Sequence, residues 1–209
     1  MTLPPLYPII DLSCFGGHTD PVLAVCRFAE QLLAGGATLI QLRDKSSNAR
    51  RFLSCARELR RVTAKRTKLI INDRADLCIA ASADGVHLGQ DDLSPAAARS
   101  ILPAEQQGWI GYSTHNREQV QEADSMPVDY IAVGPVFSTS SKRHPDPIIA
   151  VEGVRAARAA TRKPLVAIGG ITRENCQQVK QAGADSVAVI SDLLESPAKA
   201  VEAFLRILG

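Results

Sequence analysis

Two aspartates, Asp73 and Asp92, have the types and spacing for metal chemistry in this 209-residue chain. Each follows a short apolar run, residues 69–71 in one case and 86–88 in the other. Residues 75–83, between them, are rich in Ala and Leu and suit a short helix. Parallel strands joined by one helix point their carboxyl ends the same way. The two carboxylates then share one rim of a sheet, one strand apart. Paired hard oxygen donors with room for water suit Mg²⁺. The plain alternative is turn and cap chemistry, for which Asp and Asn are common after strands.

Cations gather at the same level of the fold. In Gln41-x-Arg43-x-Lys45 the alternation points three polar side chains to one side of an extended segment. Lys142 lies in a polar loop, residues 137–149, too long for a simple turn. Arg43, Lys45 and Lys142 facing two metal-bound carboxylates would make a diphosphate site, although a lone Lys or Arg is usually a solvated surface residue. Gly169-Gly170 and Ser191 follow two later strands, where glycine backbone and a helix start can hold a phosphate; a tight turn before a helix is the competing explanation. His87, flanked by apolar residues, reads as a packed core histidine. His115 reads equally as a site residue or a cap, and His18 and His144 fall in loops. There is no metal-binding His pair, nucleophile elbow or Cys–His arrangement.

Eight strand–helix units must position these groups. Strands are expected at 6–10, 37–42, 69–71, 86–88, 109–112, 129–133, 164–168 and 186–190. Helices are expected at 22–33, 46–63, 75–83, 95–101, 117–123, 152–161, 173–182 and 197–208. Strand following helix without hairpin turns implies parallel strands, and eight units of about 26 residues close into a (β/α)₈ TIM barrel. A doubly wound open sheet is the alternative, weakened because no GxGxxG follows the first strand. With no linker or low-complexity segment, residues 1–209 read as a single barrel domain.

Composition excludes other classes. A formal charge of +2 and 4% aromatic residues argue against nucleic acid or a membrane surface as partner. Five scattered cysteines without CxxC spacing read as reduced small hydrophobes in a cytoplasmic protein. No apolar run approaches the roughly 18 residues of a membrane helix. The partners expected are small molecules, and a homo-oligomer is left open.

With these residues in view, the chain resembles the thiamine-phosphate synthase family. The matching pieces are QLRDK (41–45), NDRADL (72–77), GVHLGQDDL (85–93), GYSTH (111–115), GPVFSTSSK (134–142), AIGGI (167–171) and GADSVAVIS (183–191), in the family's order. The resemblance implies a barrel that joins hydroxymethylpyrimidine diphosphate to a hydroxyethylthiazole phosphate, releasing diphosphate. It implies that Gln41, Leu42, Arg43, Asp44, Lys45 and Asn72 hold the pyrimidine diphosphate. Asp73 and Asp92 would bind Mg²⁺, and Ser113 and Lys142 would touch the diphosphate. Thr139, Ser140, Ser141, Gly170, Ile190 and Ser191 match the thiazole-phosphate contacts. Arg43, Lys45, Ser113 and Lys142 would carry the chemistry. Three positions depart from the family pattern: Ser138 for Pro, Ser141 for Thr and Ala150 for Gly. Related thiazole tautomerases, an isomerase alternative, often carry a His where this chain has Pro135; a non-catalytic phosphate-binding barrel is the other alternative.

Overall fold

The structure, a computed structural model, describes residues 2–46, 48–64, 66–102, 108–139 and 146–209. Eight parallel strands close a barrel in sequence order, each pairing with the next and β8 with β1. They are β1 (Leu6–Asp11), β2 (Leu39–Arg43), β3 (Lys68–Asn72), β4 (Gly85–Leu88), β5 (Trp109–Thr114), β6 (Tyr130–Val133), β7 (Leu165–Ile168) and β8 (Ser186–Val189). The helices between and after them are α1 (Pro21–Ala34), α2 (Ala49–Thr63), α3 (Ala75–Ala80), α4 (Pro95–Ile101), α5 (Arg117–Ser125), α6 (Ala150–Ala160), α7 (Cys176–Gln181) and α8 (Pro197–Leu208). The TIM barrel expected from the strand–helix alternation is the fold found, and the open sheet is not.

Helix starts follow local chemistry. The side chains of Asp20, Asn48, Ser94 and Asn116 each accept an amide N–H from the first turn of α1, α2, α4 and α5. Pro21 and Pro95 occupy first helical positions, where a missing N–H costs nothing. The same chemistry shortens three expected helices. Asn48 caps α2, so it starts at Ala49 rather than residue 46. Ser82 takes a left-handed φ of 52° and ends the α3 segment before residue 83. Asn175 Oδ1 accepts the Thr172 amide at 2.8 Å, a side-chain turn that delays α7 to Cys176. In the other direction, α6 begins two residues early at Ala150, whose φ is +55°.

Strand alternation separates two apolar layers. One fills the space between barrel and helices, where Ile10, Ile40, Leu42, Ile71, Val86 and Ile110 meet α1, α2 and their neighbours. The other fills the barrel interior, with Tyr7, Ile9, Leu39, Ile70, Tyr130 and Val166 among its members.

The amino-terminal rim carries a repeated clamp. Asp84, Asp129 and Asp185 stand just before β4, β6 and β8. Each carboxylate accepts the amide N–H of a residue on the preceding strand: Leu69 at 2.9 Å, Ile110 at 2.7 Å and Leu165 at 2.8 Å. Each also pairs with an arginine from a helix: Arg60, Arg99 and Arg158. Burial alone would raise the Asp84 carboxyl. The Leu69 amide, Lys68 and Arg60 outweigh that and hold it below its ordinary value.

Candidate active site

The carboxyl-terminal rim collects the polar residues that the alternation of the strands turns inward. Asp11 and Arg43 are direct partners in the β1–β2 register. Their side chains form an ion pair with Asp11 only 3% exposed. Asp11 Oδ1 also accepts the Ser13 amide and hydroxyl, at 2.9 and 2.7 Å. The alternation of Gln41, Arg43 and Lys45 places them at three depths, each with its own partner. Gln41 turns down into the barrel and donates to Tyr7 Oη at 3.0 Å. Arg43 meets Asp11 at the strand end. Lys45 sits highest and reaches Asp73 Oδ2 at 2.6 Å.

Asp73 owes its position to an unusual backbone. Its φ is +63°, rare for a residue with a side chain but tolerated by Asp. The Arg74 amide closes a three-residue turn on the Asn72 carbonyl at 2.8 Å, and the Asp73 amide donates to the His87 carbonyl at 2.7 Å. Backbone held in sparse regions by its surroundings is a feature of functional sites. Asp92 comes from the loop after β4, where its Oδ2 accepts the Gly89 amide at 2.7 Å. Burial first, and then the Asp92 carboxyl beside it, push Asp73 up to about 6, against the pull of Lys45. The two carboxylates are thus together, one strand apart, with Lys45 bonded to Asp73.

Below them Asn72 is buried, and its Nδ2 has no hydrogen-bond partner among the described residues. An orphaned donor at a barrel mouth is the mark of a ligand contact. Ser113, on β5, has its hydroxyl 2.9 Å from His87 Nε2, and its carbonyl accepts from Gln90 Nε2 at 2.5 Å. His87 is a buried histidine, as its apolar neighbours suggest, and burial lowers it to about 4, so the ring is neutral. It is also more than core packing, because it bonds a rim residue.

Two of the residues named from the sequence face elsewhere. The Leu42 side chain lies in the layer under the helices. The Asp44 carboxylate is buried against the Ser46 amide and Arg51, where it organises the approach to α2. On the opposite side of the mouth, Gly169 and Gly170 both have positive φ, 102° and 62°. A Cβ on Gly170 would lie 2.4 Å from the Ser138 carbonyl oxygen, so only glycine fits there. Asn175 Nδ2 holds the Gly170 carbonyl at 3.0 Å. Ser191 opens a short 3-10 turn, Ser191–Leu193, after Ile190. Asp192 in that turn grips the amide and guanidinium of Arg173 at 2.9–3.1 Å, tying the loops after β7 and β8 together. Thr139 is half-buried; Ser140, Ser141 and Lys142 lie outside the described residues.

Asp11, Tyr7 and Tyr130 carry no role in the sequence reading. Asp11 ends a strand facing Arg43, so barrel register was the signal available for it. The tyrosines looked like ordinary core residues, because no local pattern shows a hydroxyl meeting another strand.

Comparison with known proteins gives the family. The family model described as thiamine monophosphate synthase matches residues 7–193. A thiamine-phosphate synthase of Koribacter versatilis is 54% identical over 209 residues, covering 100% of this chain and 97% of that protein. One from Albidiferax ferrireducens is 44% identical over 191 residues, covering 90% of this chain and 83% of that protein. Among solved structures, thiamine phosphate pyrophosphorylase from Pyrococcus furiosus superposes with a TM-score of 0.84 at 32% identity, covering 98% of this chain and 95% of that one. A 3-hexulose-6-phosphate synthase, at 13% identity and a TM-score of 0.68, shares the fold. The chain belongs to the thiamine monophosphate synthase family of transferases.

Proposed function

We propose that this chain condenses 4-amino-2-methyl-5-pyrimidinylmethyl diphosphate with a hydroxyethylthiazole phosphate, giving thiamine phosphate and diphosphate. The observation that carries the reading is the Asp73–Asp92 pair beside Lys45, with the unpartnered Asn72 amide beneath it. These residues fit Mg²⁺. The donors are hard oxygens, and burial, with the Asp92 carboxyl after it, raises Asp73, a penalty on its charged form that a divalent cation relieves. Among the described residues no third His, Cys, Asp or Glu joins them, which suits an ion that keeps several waters and takes substrate oxygens. Such an ion would neutralise charge on the departing diphosphate.

The protein's own groups do the rest. Lys45 and Ser113 meet the diphosphate, and Lys142, matched by the family motif, is a third contact to it. Arg43, already neutralised by Asp11, orients rather than adds net charge. Asn72, with Gln41 below it, reads the pyrimidine. The C–O bond to diphosphate breaks, the amino-pyrimidine ring delocalises the positive charge, and the thiazole nitrogen attacks the carbon. Gly170, Ile190, Ser191 and Thr139 to Ser141 cradle the thiazole phosphate. No protein nucleophile or strong base is required, and positioning with electrostatics supplies the rate. No helix among the described residues is long and apolar enough to cross a membrane; we place the protein in the cytoplasm, where five free cysteines stay reduced. Incubation with both precursors and Mg²⁺, followed by chromatography, is expected to yield thiamine phosphate. Release of diphosphate without coupling, or conversion of the thiazole alone, would replace the synthase reading.

A further inference from the structure

A chain of side-chain hydrogen bonds runs through the barrel beneath the rim. Gln41 Nε2 donates to Tyr7 Oη at 3.0 Å, Tyr7 Oη meets Tyr130 Oη at 2.9 Å, Tyr130 Oη meets His87 Nδ1 at 3.1 Å, and His87 Nε2 meets Ser113 Oγ at 2.9 Å. Tyr7 is 1% and Tyr130 0% exposed, so their hydroxyl protons cannot turn to water. The Tyr130 ring stacks on His87 at 5.6 Å and meets Tyr7 edge-on at 6.0 Å. Gly111 makes room for the junction: a Cβ there would lie 2.3 Å from Tyr130 Oη and 2.4 Å from His87 Nδ1.

Hydrogen-bond accounting gives this chain a direction. An amide nitrogen only donates, so Tyr7 accepts from Gln41. The Tyr7 proton has one further oxygen within reach among the described residues, that of Tyr130. Tyr130 then accepts from Tyr7 and gives its own proton to His87 Nδ1. A neutral imidazole with Nδ1 as acceptor carries its single proton on Nε2. That proton goes to Ser113 Oγ. The reverse direction would leave the Tyr7 hydroxyl proton buried without an acceptor, which costs more than an exposed one.

We propose that Tyr7 and Tyr130 are positioning residues that fix His87 as the Nε2–H tautomer, so that Ser113 presents its own hydroxyl proton to an acceptor in the barrel mouth. With one lone pair taken by His87, Ser113 has its proton free for a substrate acceptor such as a diphosphate oxygen. The kinetic consequence rests on the synthase reading; the tautomer does not.

Imidazole ¹⁵N chemical shifts of the labelled full-length protein, without substrates, read the tautomer directly. His87 is expected to show a protonated Nε2 and a bare Nδ1, and Tyr130→Phe is expected to shift that pattern toward a mixture. An Nδ1–H ring in the unsubstituted protein overturns the proposal, whatever the enzyme turns over. In kinetics, Tyr130→Phe should lower kcat about tenfold, the weight of one well-placed hydrogen bond, with little change in the KM for the thiazole phosphate. The same substitution in a Ser113→Ala background should cost nothing further. Equal losses in both backgrounds would mean that Tyr130 only packs the barrel, and would overturn the positioning role.

Discussion

The two rims of the barrel use the same residue type to opposite ends. At the amino-terminal rim, Asp84, Asp129 and Asp185 each take a backbone amide and an arginine. At the carboxyl-terminal rim, Asp73 has Lys45 on one side but the Asp92 carboxyl pressing on the other, and Asn72 below is left with an unused donor. A carboxylate given its full set of partners holds a fold. One denied them is ready for a cation or a substrate. Asp11 is intermediate: it stands at the catalytic rim but is satisfied, and its work is to hold Arg43.

Breaking one carboxylate at each rim should separate activity from stability. Asp92→Ala is expected to lower kcat/KM by about 10²–10³-fold while thermal unfolding followed by circular dichroism stays close to that of the parent. An unchanged rate at limiting Mg²⁺ would remove the two-carboxylate site. Asp84→Ala is expected to do the reverse. It leaves Arg60 facing an emptied site and two strand ends unclamped, for a loss of about 3 kcal/mol in denaturant unfolding with kcat intact at low temperature.

The rims should also respond to pH in opposite senses. Asp73 has a folded pKa of about 6, above the unfolded value of about 3.9. The folded protein therefore holds a proton that the unfolded chain has released, and metal-free stability falls as pH rises from about 4 to 6. Asp84 is lowered, so its contribution is present above about pH 4 and fades as pH falls below that. Melting curves across pH for the parent, Asp73→Asn and Asp84→Asn read the two slopes; identical slopes in all three would erase the distinction.

Finer changes sharpen the picture on the thiazole side. Gly170→Ala places a Cβ against the Ser138 carbonyl at a left-handed φ. It is expected to raise the KM for the thiazole phosphate about tenfold and leave that for the pyrimidine diphosphate nearly unchanged; equal effects on both would indicate a folding defect. Ala150→Gly should be the smallest change. With φ at +55°, glycine relieves a left-handed alanine, a gain of about 0.5–1 kcal/mol readable in denaturant unfolding.

The barrel was legible from the sequence because its signal is periodic. Apolar runs of three to six residues alternate with amphipathic helices, and each polar break marks a strand end. Asp73, Asp92 and Lys45 could be placed on one rim because strand ends in a parallel barrel share a side. The depth ordering of Gln41, Arg43 and Lys45 follows from their order along the strand, but their partners were not legible, since alternation says nothing of what stands opposite. Asp44 follows the alternation: it stands between the inward Arg43 and Lys45, and its side chain turns outward to Arg51. The hydroxyl chain from Tyr7 to Ser113 joins residues up to 123 positions apart, and no local pattern encodes such a meeting. The left-handed Ala150 was visible as a departure from a glycine in the family pattern, but its strain appears only with the backbone.

The most direct test of the central claim follows diphosphate release and thiamine phosphate formation together as Mg²⁺ is titrated, in the parent protein and in Asp73→Asn and Asp92→Asn. The account predicts equal amounts of both products, a saturable dependence on Mg²⁺, and loss of that dependence with most of the rate in either variant. Full activity in chelator, or variants that keep the parent's Mg²⁺ dependence, would contradict it.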